Sequence, residues 1–256
     1  MSKLECFQFP YGGDNYGVLV HDADTGQTAC IDAGHAQAAL DALDKQGWSL
    51  THLLITHHHG DHTAGLAAIK SATGCQVTGP EPVSTAIAGL DQFVSQGSEF
   101  EFAGRAVKAI HTPGHTKDMI NYYFADDELV FTGDTLFSMG CGRLFEGDAA
   151  MMLESVAKLK VLPPETLVYC AHEYTATNAR FALDVDPSNA ALQARAAEVT
   201  KLRDQGLATV PTKLQLELET NPFLRIDNSE LRQALGMPDA DEVAVFAELR
   251  ERRNQY

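Results

Sequence analysis

The sequence predicts an α/β domain built as a sandwich of sheets, followed by a smaller helical region. From about residue 7 to residue 170, short runs of β-branched and aromatic residues alternate with segments of helical spacing. Further along, the composition shifts to segments that keep one apolar helical face. We therefore predict two domains, at residues 1–173 and 174–256, with the boundary near Tyr174.

The first part of the α/β region contains both kinds of element. In chain order, the pattern predicts strands at 16–20, 28–31 and 53–56, and helices at 37–46 and 63–73. The first two strands are joined by the turn-rich segment 21–26, which is typical of an antiparallel hairpin. The runs 107–110, 129–131 and 167–169 are apolar and rich in strand-forming residues, so they predict three further strands.

The C-terminal region predicts two longer helices. Ser188 can cap the first, which keeps one apolar face and ends near Gly206. The second runs over 241–254, and the segment 211–222 between them has no clear pattern. The buried face predicted for the second helix consists of Val243, Phe246 and Leu249.

Composition limits the classes of partner. With 45% hydrophobic and 21% charged residues in 27.7 kDa, the chain resembles ordinary globular protein. The formal net charge of −16 argues against a nucleic-acid partner, because such partners attract clustered Lys and Arg. No run approaches the ~18 apolar residues of a membrane span, and the first residues lack a signal-peptide pattern. Five scattered cysteines fit reduced thiols, so we expect a cytoplasmic protein without a membrane partner.

The segment 56–62, which reads THHHGDH, carries the strongest functional signal. It follows an apolar run, and in extended chain alternate side chains face the same side. The side chains expected to converge are His57, His59 and Asp61, with His62 turning inward as a helix begins. Neither strand nor helix packing needs such a cluster. We interpret it as a metal site, with two ions as the expected number.

Three further candidate ligands, His115, Asp134 and His172, each follow one of the later predicted strands. Strand ends that share one edge of the sandwich would bring these side chains to the first cluster. His111 lies four residues before His115 and is the alternative ligand; we favour His115 because it lies in the turn after the strand. The remaining histidines at 21, 35, 52 and 58 are interpreted as non-ligands, with His58 and Asp32 as candidate supporting residues.

Together these motifs resemble the metallo-β-lactamase superfamily of αββα sandwiches. The pattern H-x-H-x-D-H with the three downstream ligands identifies the superfamily. Motifs at 141–143, 172–175, 221–225 and 249–253 are similar to those of glyoxalase II, the hydroxyacylglutathione hydrolases. The resemblance covers nearly the full length, and it implies an αββα catalytic domain followed by a helical substrate-binding domain.

The resemblance implies a ligand set for two divalent metal ions. It assigns His57, His59 and His115 to the first metal, Asp61, His62 and His172 to the second, and Asp134 to both. Asp61 would also orient the nucleophile. A set of imidazoles and carboxylates without thiolate suits zinc, with iron or manganese as the alternatives. Several β-lactamases carry cysteine where this chain has Asp134, which separates it from them.

The implied activity is hydrolysis of glutathione thioesters. The family's substrate is S-D-lactoylglutathione, which yields D-lactate and glutathione in methylglyoxal degradation. A hydroxide held by the two metals would attack the thioester carbonyl. The leaving thiolate has a conjugate pKa of ~8.5 and departs with little acid assistance. We expect the enzyme to act as a monomer.

Glutathione carries two carboxylates, so its recognition needs cations that form directed hydrogen bonds. By resemblance, the candidates are Arg143, Arg250 and Arg253, with Tyr174 supplying a phenol and Phe145 an apolar wall. Two positions depart from the family pattern. Arg253 stands where many relatives have lysine, and Phe145 stands where some have tyrosine, so the affinity for glutathione is expected to differ.

Three alternatives stay open. A mononuclear iron persulfide dioxygenase resembles the same motif and also uses glutathione derivatives, although such relatives are usually shorter at the C-terminus. A lactonase or a nuclease of the superfamily would keep the fold, and the acidic composition disfavours the nuclease. A metal-storage protein without catalysis is the third, and it would gain nothing from a separate region bearing placed arginines.

Overall fold

Residues 2–256 are described by a computed structural model, in which the chain forms two units. The first unit comprises Met1–His111 and Thr116–Gly133, and the second comprises Thr112–His115 and Asp134–Tyr256. The chain therefore leaves the first unit briefly at residues 112–115 before it returns. The division into domains at residue 173 stays a prediction.

The first sheet of the first unit begins as a meander and continues as a parallel sheet. Its elements and the helices between them are β1 (Glu5–Tyr11), β2 (Asn15–Asp22), β3 (Gln27–Ile31), α1 (Ala36–Gln46), β4 (His52–Leu54), α2 (Gly60–Thr63), α3 (Leu66–Thr73), β5 (Gln76–Pro80) and β6 (Gln92–Val94). The strands lie in chain order, with β1, β2 and β3 antiparallel and β3 to β6 parallel. Helices α1, α2 and α3 lie in the parallel connections from β3 to β4 and from β4 to β5.

A second layer of the first unit is an antiparallel meander. Its strands are β7 (Glu99–Phe102), β8 (Arg105–His111), β9 (Ile120–Phe124) and β10 (Leu129–Gly133). The two layers touch through buried polar contacts: the Tyr122 hydroxyl donates to the Ile55 carbonyl at 2.7 Å, and Arg105 pairs with Asp22 at 3.0 Å. The predicted sheet-on-sheet arrangement is thus present within this unit.

The predicted helix over 37–46 is confirmed as α1, which buries Ala39, Ala42 and Leu43 and ends at Gly47 in a left-handed conformation. The prediction over 63–73 was wrong in one respect, because the segment forms two helices rather than one. The break falls at Gly65, whose N–H donates to the Ala33 carbonyl at 2.6 Å. A Cβ at Gly65 would lie 2.7 Å from that oxygen, so a tertiary contact interrupts the helix.

The second unit is mainly helical. Its elements are β11 (Leu136–Phe137), β12 (Gly140–Cys141), α4 (Ala149–Lys160), β13 (Leu167–Cys170), α5 (Thr175–Val185), α6 (Ala190–Asp204), β14 (Thr212–Lys213), α7 (Leu214–Thr220), α8 (Ser229–Leu235) and α9 (Glu242–Asn254). The strands form two short antiparallel pairs, β11 with β12 and β13 with β14. The longest described helix, α6, has 15 residues, and none of the described helices combines the length and apolarity that a bilayer crossing requires.

Two helix predictions need small corrections. The cap of α6 is Asn189, whose side chain accepts from the Leu192 N–H at 3.1 Å, so Ser188 lies one residue outside. Asp241 caps α9, in agreement with the predicted start at residue 241. Phe246 and Leu249 are buried, as predicted. Val243 is 40% exposed, and Val245 takes its place in the buried face because it shares that face with Leu249.

The hairpin formed by β11 and β12 is held by a buried carboxylate that the sequence did not reveal. Glu217 of α7 accepts from the Met139 N–H at 2.7 Å and from the Ser138 hydroxyl at 2.9 Å. Thr212 and Asn221 donate to it at 3.0 and 3.1 Å. Burial raises the pKa of Glu217, and these four donors oppose that shift. The hairpin lies between Asp134 and Arg143 in the sequence. Glu217 therefore helps to position these two predicted site residues.

Candidate metal centre

The THHHGDH segment of the first unit brings four predicted ligands together. His57 and His62 are fully buried, whereas His59 and Asp61 lie nearer the surface. His57 Nε2 lies 3.0 Å from His59 Nδ1, and His62 Nε2 lies 3.4 Å from an Asp61 carboxylate oxygen. The four side chains therefore form two neighbouring pairs, and in each pair the ligand atoms are close enough to share an ion.

Asp32 orients both buried imidazoles of this segment. Its carboxylate accepts from His62 Nδ1 at 2.8 Å and from the Thr56 hydroxyl at 3.0 Å. Because that hydroxyl has only one proton, it accepts in turn from His57 Nδ1 at 3.0 Å. Both rings thus use Nδ1 for support and direct Nε2 towards the pairs, as metal-binding histidines generally do. Asp32 therefore supports both imidazoles.

Two other histidines of the first unit are engaged elsewhere. His58 points its Nδ1 at buried Asp118, 3.0 Å from each carboxylate oxygen. His111 donates from Nε2 to the Lys117 carbonyl at 2.8 Å. Among the described residues, His111 belongs to none of the groups of side chains that could hold a metal ion, whereas His115 does, which favours His115.

The second unit brings the other three predicted ligands together. One oxygen of Asp134 lies 3.3 Å from His115 Nε2, and the other oxygen lies 3.3 Å from His172 Nε2. His115 donates from Nδ1 to the Arg143 carbonyl at 2.9 Å, which fixes the direction of its Nε2. Each Asp134 oxygen thus faces a different imidazole, which is the arrangement expected of a carboxylate that bridges two metal ions.

Two glycines allow the backbone near these side chains to pack closely. A Cβ at Gly34 would lie 1.7 Å from the Asp61 carbonyl oxygen, and one at Gly142 would lie 1.9 Å from that of Asp134. Only glycine fits at either position. At Gly60, by contrast, a Cβ would meet open space.

Three arginines of the second unit gather near Cys141. Arg250 is buried and donates to the Cys141 carbonyl at 2.6 Å, and Arg253 donates to the Asn178 side chain at 2.9 Å. Burial, followed by the positive charges of Arg250 and Arg143, lowers the pKa of Arg253 to about 10. In the described part of the chain no carboxylate forms an ion pair with these three arginines. Such a cluster favours an anionic ligand.

Two aromatic side chains flank the predicted ligands of the second unit. Tyr174 stacks on His172 with ring centroids 4.7 Å apart and planes within 2° of parallel. Phe145 meets His115 edge to face at 5.2 Å and is 63% exposed. Both residues, predicted by resemblance to contact glutathione, therefore adjoin candidate metal ligands.

Thiols do not contribute to either group. All five cysteines are free, and burial raises the pKa of Cys141 and raises that of Cys170 to about 12. These two thiols stay protonated at neutral pH and are poor ligands in that form. The donor set of each unit is therefore imidazole and carboxylate only, which fits zinc, iron or manganese.

Comparison with known sequences agrees with this chemistry. The family model of the metallo-beta-lactamase superfamily matches residues 12–172, and that of the hydroxyacylglutathione hydrolase C-terminus matches residues 173–256. The hydroxyacylglutathione hydrolase of Rhizobium meliloti is 48% identical over 256 residues, and that of Rhizobium etli is 51% identical over 256 residues. Both alignments cover 100% of each chain.

Solved structures share the fold. ETHE1 from Myxococcus xanthus superposes with a TM-score of 0.65 at 25% identity and 100% coverage of both chains. The BLEG-1 B3 metallo-beta-lactamase has a TM-score of 0.65 at 21% identity, covering 86% of this chain and 99% of that one. The chain belongs to the metallo-β-lactamase superfamily and, within it, to the hydroxyacylglutathione hydrolases. The predicted fold class and family are thereby confirmed.

Proposed function

We propose that this chain hydrolyses S-D-lactoylglutathione to D-lactate and glutathione at a centre of two divalent cations. Its family makes it a thioester hydrolase acting on glutathione thioesters. The observation that carries the two-ion centre is the Asp134 carboxylate, which presents one oxygen beside each of two imidazoles. The acyl group and the particular ions belong to the proposal.

The proposed ligands combine the two groups of side chains. One ion would be held by His57, His59 and His115, the other by Asp61, His62 and His172, and Asp134 would be shared. The contacts within each unit support this assignment. In the first unit His57 lies beside His59, and His62 lies beside Asp61. In the second unit Asp134 lies between His115 and His172. All seven residues lie within the segment that the superfamily model matches. Zinc is the proposed metal, with iron or manganese as the alternatives.

The chemistry needs a nucleophile, a polarised carbonyl and a stable leaving group. Two such ions, when bound, supply an activated water and stabilise charge on the thioester oxygen. Asp32 holds His57 and His62 in the tautomer that presents Nε2. Asp61, as a half-exposed carboxylate beside His62, is placed to orient water. The glutathione thiolate needs little protonation, because its conjugate pKa is ~8.5.

The arginine cluster is the proposed glutathione subsite. Arg143, Arg250 and Arg253 would meet its carboxylates, with Tyr174 and Phe145 lining the path to the metal ligands. The lowered pKa of Arg253 supports this role, because uncompensated positive charge is relieved by an anion. Arg253 provides a planar guanidinium where many relatives have lysine, which changes the geometry of its hydrogen bonds. Phe145 lacks the hydroxyl of the tyrosine that some relatives carry, so it cannot donate a hydrogen bond.

We further propose that the enzyme works as a monomer in the cytoplasm, without a nucleic-acid or membrane partner. The five free thiols support a reducing compartment. The excess of 35 acidic over 19 basic residues disfavours polyanionic partners.

The direct test follows the loss of thioester absorbance with S-D-lactoylglutathione. The zinc-loaded enzyme should be active, and chelation should remove the activity. His59→Ala and Asp134→Ala should lower kcat/KM by on the order of 100-fold or more, because stabilisation of the developing oxyanion is lost. His111→Ala is the matched control and should stay active.

Full activity of His59→Ala or Asp134→Ala with both metals bound would refute the ligand assignment. Oxygen consumption with glutathione persulfide, together with one iron per chain, would instead identify a persulfide dioxygenase.

A further inference from the structure

The N-terminal hairpin of the first unit contacts the metal-binding motif at Asp61. Asn15 lies at the start of β2, directly opposite Tyr11 at the end of β1. The Asn15 side-chain amide donates to an Asp61 carboxylate oxygen at 3.0 Å, and the Tyr11 hydroxyl donates to the Asp61 carbonyl at 2.9 Å. Asp61 is therefore held at both its side chain and its backbone.

Asp61 needs such support more than its neighbours in the motif do. His57 and His62 are buried and fixed through Asp32, but the Asp61 side chain is 48% exposed. Its helix, α2, has only four residues and gives little rigidity of its own. A half-exposed carboxylate would otherwise sample several rotamers in water.

The hydrogen bond from Asn15 selects a useful rotamer. The oxygen that accepts it, Oδ2, is the same atom that lies 3.4 Å from His62 Nε2. This oxygen has a second lone pair that stays directed to the side of His62. Asn15 is itself only 8% exposed, so its amide is fixed and preorganises the carboxylate.

We propose that Asn15 is a positioning residue, which fixes the Asp61 carboxylate beside His62 and thereby sets the affinity of the second metal subsite. Tyr11 assists by holding the Asp61 backbone against Gly34. The inference rests on the proposed dimetal centre. It adds two supporting residues, Tyr11 and Asn15, which lie more than 40 positions before Asp61 in the sequence.

The test measures zinc affinity rather than turnover. Purified apoprotein is titrated with Zn²⁺ in competition with a chromophoric chelator, and bound zinc is counted by elemental analysis. Asn15→Leu, of similar size but without a donor, should weaken the second zinc by about 10- to 100-fold and leave the first unchanged. Gly13→Ala, which adds a methyl group to open space in the same turn, should bind both ions like the wild type.

A double-mutant cycle separates positioning from a general effect on the fold. In an Asp61→Ala background, Asn15→Leu should cause no further loss of zinc affinity, because the carboxylate through which Asn15 acts has been removed. A further loss of similar size in that background would overturn the proposal. Where Asn15→Leu fails to fold, Asn15→Ser serves instead, since its hydroxyl ends one bond short of the amide nitrogen.

The wild type distinguishes this inference from the proposed function. Fewer than two zinc ions on the wild type would overturn the dimetal centre and the role of Asn15 with it. Two ions on the wild type, with unchanged affinity in the Asn15 variant, would overturn the role of Asn15 alone.

Discussion

At the scale of single residues, hydrogen bonds orient the side chains of the candidate metal ligands. Asp32 serves two imidazoles at once, directly to His62 and through Thr56 to His57. Removing such a carboxylate leaves buried donors unsatisfied as well as the rings unaligned. The residues behind the candidate ligands therefore help to set the geometry of the ligand atoms.

Substitution of Arg250 tests the glutathione subsite. Arg250→Ala should raise KM for a glutathione thioester by on the order of tenfold, the loss of one charge-assisted hydrogen bond, with a smaller change in kcat. Arg252→Ala is the control, because Arg252 lies on the same helix and pairs with Glu248 at 2.7 Å. Steady-state kinetics measure both constants. An unchanged KM would remove Arg250 from substrate binding.

The sequence predicted the ligand candidates but not the residues behind them. Spacing within THHHGDH is local, so alternation of side chains is sufficient to find His57, His59 and Asp61. Asn15 and Asp32 lie 46 and 30 positions from the residues they support, Asp61 and His62, and nothing in their local sequence signals that contact. Such partners follow from the packing of distant segments and need the fold.

At the scale of elements, the short β11–β12 hairpin depends on α7. Two residues per strand cannot stabilise a hairpin alone. Glu217 and Asn221 supply the missing support: the Asn221 amide donates to the Phe137 carbonyl at 3.1 Å and to the Gly140 carbonyl at 3.0 Å. A helix from the C-terminal region thus holds the segment that joins Asp134 to Arg143.

Glu217→Gln tests this support. The amide nitrogen would replace one carboxylate oxygen and face two of the four existing donors, so we expect the free energy of unfolding to fall by about 1–3 kcal/mol. The control is Glu219→Gln on the exposed side of α7, for which we expect a change within about 0.5 kcal/mol. Denaturant titration of the two variants measures both values. Equal stabilities would show that the buried carboxylate is dispensable.

Most elements were predictable, because their hydrophobic period is local. The strands at 28–31 and 167–169 and the helices α1 and α9 match the expectations to within a residue or two. The segment 211–222, which had no clear pattern, contains β14 and α7. Glu217 explains the difficulty: a buried charged residue breaks the apolar pattern, and only its tertiary donors make burial acceptable.

At the scale of the whole molecule, charge is the dominant feature. The net charge of −16 repels an anionic substrate at long range, whereas the proposed glutathione subsite would attract it locally. The same excess of carboxylates repels itself in the folded state. Stability should therefore respond to ionic strength.

We expect the melting temperature at neutral pH to rise with salt. Raising NaCl from about 0.01 M to 0.15 M shortens the Debye length from about 30 Å to about 8 Å, which screens the repulsion. A gain of roughly 1 kcal/mol corresponds to about 2–4 °C at this chain length. Calorimetry of the zinc-loaded enzyme measures the shift. The same titration at pH 5.5, closer to the pI of 4.9, is the control and should give a smaller rise.

The carboxylate at position 134, which we propose is shared by two ions, has a consequence for divergence within the superfamily. Because each of its oxygens serves a different histidine, a side chain with a single donor atom could satisfy only one of them. One substitution would thus make the two metal positions unequal, and the weaker one could be lost without any change in the histidines. Descent from a binuclear to a mononuclear enzyme would need no remodelling of the scaffold.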